Sequence, residues 1–109
     1  MTIEPTRITC PDCRGSLEKL QDGTLLQYRC RVGHAYSPES AIAAHAYTEE
    51  NTLWAAVVAL EEGADLWEEV SANLPEEEAQ KLREQAKMKR QLSTQIRALV
   101  EKLEAPRLR

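Results

Sequence analysis

Two regimes of apolar spacing divide the chain. Between residues 16 and 29 the runs Ser16-Leu17-Glu18-Lys19-Leu20 and Thr24-Leu25-Leu26-Gln27-Tyr28-Arg29 flank Gln21-Asp22-Gly23. Asp-Gly tolerates the positive φ of a tight turn, so this pattern predicts a β-hairpin with arms at 16–20 and 24–29. Beyond residue 37 the apolar spacing alternates between three and four. Leu53, Val57, Leu60, Ala64, Trp67 and Leu74 form one series, with Ser71 in the gap, and Ala79, Leu82, Ala86, Ser93, Ile96, Val100 and Leu103 form a second. Such a stripe along each of two helices is what an antiparallel helix pair requires.

Local signals place the helix ends. Ser37 can cap the first helix, Pro38 suits its first position because the missing N–H is not needed there, and Glu39 suits the positive end of the helix dipole. Asn73-Leu74-Pro75 interrupts the pattern, and Glu76-Glu77-Glu78 restarts it with acids in the first turn. Gly63 weakens the middle of the first helix by roughly 1 kcal/mol relative to alanine. The expected fold class is α+β: a small β-hairpin unit over residues 1–37, then a long antiparallel helical hairpin over 38–105 with helices at about 38–73 and 75–104, and a tail at 106–109.

Charge sharpens this division. Residues 1–37 carry five basic and four acidic side chains, residues 38–74 carry eight acidic side chains and neither lysine nor arginine, and residues 75–109 carry nine basic against six acidic. The basic second arm is therefore expected to face the acidic first arm. With 109 residues, 42% apolar residues and no phenylalanine, the core must be small and mostly aliphatic, and needs a metal, a partner or a second copy to support it. No apolar run approaches the roughly 20 residues that span a bilayer, and MTIEPTRITC lacks the profile of a signal peptide, so the expectation is a cytoplasmic protein with no membrane association.

The chemistry lies in the first segment. Cys10 and Cys13 are spaced C-x2-C, and Cys30 and His34 are spaced C-x3-H. The hairpin between them would bring Cys30 back beside Cys13, so the four residues resemble the ligand set of a zinc ribbon, in which a two-ligand turn sits at each end of a hairpin. Thiolate sulfur and imidazole nitrogen suit Zn²⁺, and four of them close a tetrahedron without a position for water. Cys10, Cys13, Cys30 and His34 are thus the candidate ligands of one structural zinc per chain, with Gly15 and Gly33 placed where the backbone must turn beside them. A redox dithiol at Cys10 and Cys13 is the competing reading, but no βαβ pattern surrounds it and it leaves Cys30 and His34 unused. His45 stands among alanines on the first helix and reads as structural.

The stretch from Thr9 to Glu62, with CPDC, LLQYRCRVGHAYSPES and LWAAVVALEE, resembles the C-terminal extension of some bacterial chemotaxis-type protein-glutamate methylesterases. Arg14 departs from that pattern, since such motifs usually place glycine directly after the second cysteine. The resemblance implies a metal site at Cys10, Cys13, Cys30 and His34 in a regulatory or scaffolding setting. It implies no esterase activity, because the sequence has neither a receiver domain nor a G-x-S-x-G nucleophile turn.

The function expected from sequence is therefore a non-enzymatic zinc-binding protein-interaction module in bacterial sensory signalling. Its expected partner is a signalling protein, with self-association as a homodimer in which Trp54, one position off the Leu53 stripe, lies near the contact. Nucleic-acid binding is the alternative from a different class. The net charge of −4 and the near-neutral first segment argue against it.

Overall fold

The computed structural model describes residues 1–103; the expected tail at 106–109 lies outside the described residues. Four antiparallel strands precede two helices: β1 (Thr2–Thr9), β2 (Ser16–Asp22), β3 (Leu25–Cys30), β4 (Ala35–Tyr36), α1 (Pro38–Ser71) and α2 (Glu76–Val100). This is the α+β arrangement with a helical hairpin that the apolar spacing predicts. The described residues divide into two compact units, Met1–Thr48 and 49–103.

In the first unit the strands follow one another across the sheet in the order β1-β2-β3-β4. The β2–β3 hairpin is longer than the sequence pattern predicts. Asp22 pairs with Leu25, so the turn is Gly23-Thr24, and Gly23 supplies the left-handed backbone with φ of 63°. Two strands are additional to the predicted hairpin. β1 pairs with β2 through Ile3 opposite Leu20 and Thr9 opposite Ser16, with an irregularity between Pro5 and Thr9, and β4 adds Tyr36 opposite Tyr28. Pro5 lies within a strand, but β1 is an edge, where a missing N–H costs no ladder bond. Cys10, Leu17, Cys30 and Tyr36 form the buried core of this unit, with Tyr28, Ala41 and Ala44 packed against it.

Helix α1 starts where Ser37 predicts. The Ser37 hydroxyl accepts a hydrogen bond from the Ser40 amide at 3.1 Å, and its carbonyl accepts the first helical bond, from Ala41 at 2.9 Å. That cap ties the opening turns of the helix to the residues that follow His34.

The second unit is the helical hairpin. Its buried positions recur every seventh residue: Val57, Ala64 and Ser71 on α1, and Ala79, Ala86, Ser93 and Val100 on α2. All are small or β-branched, so the seam is filled by backbone and short side chains rather than by leucines. The buried hydroxyls are satisfied locally, Ser71 donating to the Glu68 carbonyl at 2.7 Å and Ser93 to the Arg90 carbonyl at 3.0 Å. Along one flank the expected charge complementarity is present. Arg97 grips both Glu61 carboxylate oxygens at 2.9 and 3.1 Å, and Arg90 reaches Asp65 at 2.8 Å and Glu68 at 3.0 Å. The Arg97 guanidinium also lies 5.5 Å from the centre of the Trp54 ring, which is half-buried beneath it. Among the described residues, no helix is long and apolar enough to cross a membrane.

Candidate metal centre

Two short turns assemble the centre, one after β1 and one after β3. In the first, the Cys10 amide donates to the Gly15 carbonyl and the Arg14 amide to the Cys10 carbonyl at 2.9 Å. Closing this loop requires left-handed backbone, and Arg14 adopts it with φ of 64° while Gly15 does not. The departure noted at Arg14 thus falls on the residue that needs positive φ, a conformation costing a non-glycine residue about 1–2 kcal/mol. In the second turn the Cys30 amide donates to the His34 carbonyl at 3.0 Å, and Gly33 supplies φ of 106°.

These turns bring all four candidate ligands together. The metal-binding atoms of Cys10, Cys13, Cys30 and His34 lie within 4.8 Å of one another, and could hold a metal ion. The Cys13 and Cys30 sulfurs are 3.6 Å apart, and His34 Nδ1 lies 3.3 Å from the Cys30 sulfur and 3.6 Å from the Cys10 sulfur. All three cysteines are free thiols; Cys10 and Cys30 are buried and Cys13 is exposed.

The surroundings favour thiolate at two of the three sulfurs. Burial pushes the Cys10 thiol up, but its contact with the Tyr36 hydroxyl and hydrogen bonds from the Cys13 and Asp12 amides outweigh it and bring its pKa below the ordinary value. Burial also pushes Cys30 up. There the His34 amide, the Cys13 thiol, the His34 ring and the Val32 amide together bring it down to about 6. At Cys13 the Gly15 amide favours thiolate, yet desolvation and the neighbouring Cys30 and Cys10 sulfurs prevail, so its pKa is raised. His34 is raised, chiefly by its hydrogen bond to Cys30.

A second layer escaped the sequence reading. Tyr36 is buried, its hydroxyl donates to the Asp12 carboxylate and lies 3.4 Å from the Cys10 sulfur. Asp12, followed by Cys10 and by burial, holds the Tyr36 hydroxyl well above its ordinary pKa, so it stays a neutral donor. An aspartate inside the first ligand pair and a tyrosine two residues beyond His34 were the available signals. Their meeting depends on β4 joining the sheet. His45 is not part of the four-residue cluster.

Compared with protein-family models, curated proteins and solved structures, the chain matches none of them.

Proposed function

We propose that this protein is a non-enzymatic, zinc-stabilised protein-interaction module, in which the metal fastens the sheet and the helical hairpin presents the binding surface. The observation that carries the metal reading is the gathering of three sulfurs and one imidazole nitrogen within 4.8 Å of one another, three of their separations being near the edges of a zinc tetrahedron. Bonds of about 2.3 Å to sulfur and 2.0–2.1 Å to nitrogen imply edges of about 3.8 Å between sulfurs and about 3.6 Å between sulfur and nitrogen. The separations of 3.6 Å for the sulfur pair and 3.3 and 3.6 Å for the sulfur–nitrogen pairs lie close to those edges.

Cys10, Cys13, Cys30 and His34 would hold the ion, which supplies a cross-link among the two turns and no reactive position, since four protein ligands complete its shell. Tyr36 and Asp12 would orient the Cys10 thiolate as outer partners of the metal. A reducing compartment, and hence the cytoplasm, suits three thiols kept for a metal. The setting in bacterial sensory signalling rests on the resemblance of RCRVGHAYSPES and LWAA to the methylesterase extension.

Elemental analysis of protein purified without chelator tests the proposal, with one zinc per chain expected and loss of binding in Cys30→Ser. Replacement by cobalt should produce the absorption of a tetrahedral thiolate site. Metal-free protein with a Cys10–Cys13 disulfide would overturn the zinc reading, and ester hydrolysis that persists through repurification would overturn the non-enzymatic one.

A further inference from the structure

The three sulfurs of the centre differ in access. Cys10 and Cys30 are buried, at 1% and 4% exposure, whereas Cys13 is exposed. Gly15 keeps one side of that sulfur clear. A Cβ at this position would lie 3.5 Å from the Cys13 sulfur, an ordinary contact that would cover it, and no positive φ requires glycine there. A small oxidant therefore meets Cys13 first.

The two buried sulfurs differ in what holds them. The Cys10 sulfur lies 3.4 Å from the buried Tyr36 hydroxyl, which donates to Asp12. The Cys13 sulfur instead directs its hydrogen bond at Cys30, 3.6 Å away. Cys30 is fixed opposite Leu17 at the end of the β2–β3 pairing, so it is presented to the first turn by the sheet itself.

We propose that the centre is a peroxide-responsive latch, in which Cys13 is oxidised first, Cys30 closes on it as a disulfide, and the metal is released. The inference rests on the metal reading above and adds regulation of that same site. Metal ligation requires Cys13 as thiolate, the form that reacts with peroxides. Its sulfur attacks one oxygen of hydrogen peroxide. An S–O bond forms, the O–O bond breaks, hydroxide leaves, and the sulfur, having given two electrons to the peroxide, becomes a sulfenic acid. The Cys30 thiolate then attacks that sulfur, an S–S bond forms, the S–O bond breaks and a second hydroxide leaves. Two protons from solvent turn both hydroxides into water. The two sulfurs must close from 3.6 Å to about 2.0 Å. One peroxide thus consumes two thiolates and leaves Cys10 and His34, half the ligands that a closed tetrahedral site needs. The oxidised chain exchanges one cross-link for another: the ends of the hairpin stay tied through Cys13 and Cys30, and Cys10 remains as the one thiol.

Hydrogen peroxide added to the full, zinc-loaded, reduced chain tests the latch, with zinc release followed by a chromogenic chelator and the thiols by peptide mass mapping. One zinc should be released per peroxide consumed, with a Cys13–Cys30 disulfide formed and Cys10 open to alkylation. Dithiothreitol with added zinc should restore the starting state. Dimedone, which captures sulfenic acids, should label Cys13 and neither of the other cysteines. Gly15→Val shields the Cys13 sulfur and leaves every ligand in place, so it should bind zinc equally and release it about threefold more slowly. Should that variant bind zinc poorly, the dimedone pattern of the wild type decides. Zinc bound and then retained in excess peroxide, dimedone on Cys10 or Cys30 in place of Cys13, a Cys10–Cys13 disulfide, or wild-type release from zinc-loaded Gly15→Val would overturn the latch alone. A chain that holds no zinc before peroxide is added would overturn the metal reading and the latch with it.

Discussion

On the proposed zinc reading, stripping the metal from the reduced protein should unfold the sheet and leave the helical hairpin standing. The first unit buries three large side chains, with Leu17 at 1%, Leu20 at 7% and Tyr36 at 9% exposure. At about 1.5–3 kcal/mol each, they contribute roughly 5–9 kcal/mol in all. A structural zinc contributes an apparent 10–16 kcal/mol, more than this whole apolar core. The unit spans only residues 1–48, close to the size of about 40 residues below which domains depend on a metal, disulfides or a partner. The hairpin has its own buried seam from Val57 to Val100, and its ion pairs do not involve the metal ligands. Amide correlation spectra of isotope-labelled protein, recorded before and after chelation with thiols kept reduced, read both units at once. The amides of residues 2–36 should collapse to the dispersion of an unfolded chain while those of 49–100 keep their shifts, and zinc should restore the original spectrum. Strand amides that remain dispersed in the metal-free state would refute the reasoning, because burial alone would then hold the sheet. Concerted loss of the helical amides would refute the independence of the two units.

Acid should release the metal. Cys30 is held at about 6 in the fold against an ordinary value of 9.0, so its contribution to stability is full above pH 9, declines as the pH falls and is gone below about 6. Zinc retained after dialysis across a pH series should therefore fall steeply below pH 6, and full retention at pH 4 would contradict this. Arg14→Gly removes a side chain from a left-handed position with φ of 64°, and should stabilise the metal-loaded sheet by about 1 kcal/mol in thermal unfolding, an unchanged or lower Tm being the contrary result. Ala86 is fully buried in the hairpin seam, so Ala86→Leu should wedge the helices apart at a cost of roughly 1–3 kcal/mol, seen as a Tm lower by several degrees in the helical signal.

Features governed by near neighbours were legible in the residues. Asp22-Gly23 marks a turn because glycine accepts positive φ, Ser37-Pro38-Glu39 marks a helix start because its groups satisfy the first free amides, and a seven-residue recurrence of small and apolar positions marks a paired helix. The clustering of Cys10, Cys13, Cys30 and His34 was legible for the same reason, since each half is a short turn whose spacing is fixed by chain geometry, and the hairpin between them returns one half to the other. What only the tertiary structure decided depends on groups that meet from a distance. β1 carries proline and an almost wholly exposed sequence, so its strand character comes from pairing with β2 rather than from its own pattern. Tyr36 reaches Asp12 and Cys10 only because β4 pairs beside β3. The left-handed turn falls on Arg14 and not on Gly15, because loop closure around Cys10 selects the position whatever residue occupies it. Spacing identifies the buried stripe of each helix but not which flank the long side chains will close. That choice was made where Arg90 and Arg97 found Asp65, Glu68 and Glu61 across the hairpin, covering Trp54 and leaving Leu66, Leu92 and Leu99 on the other side exposed.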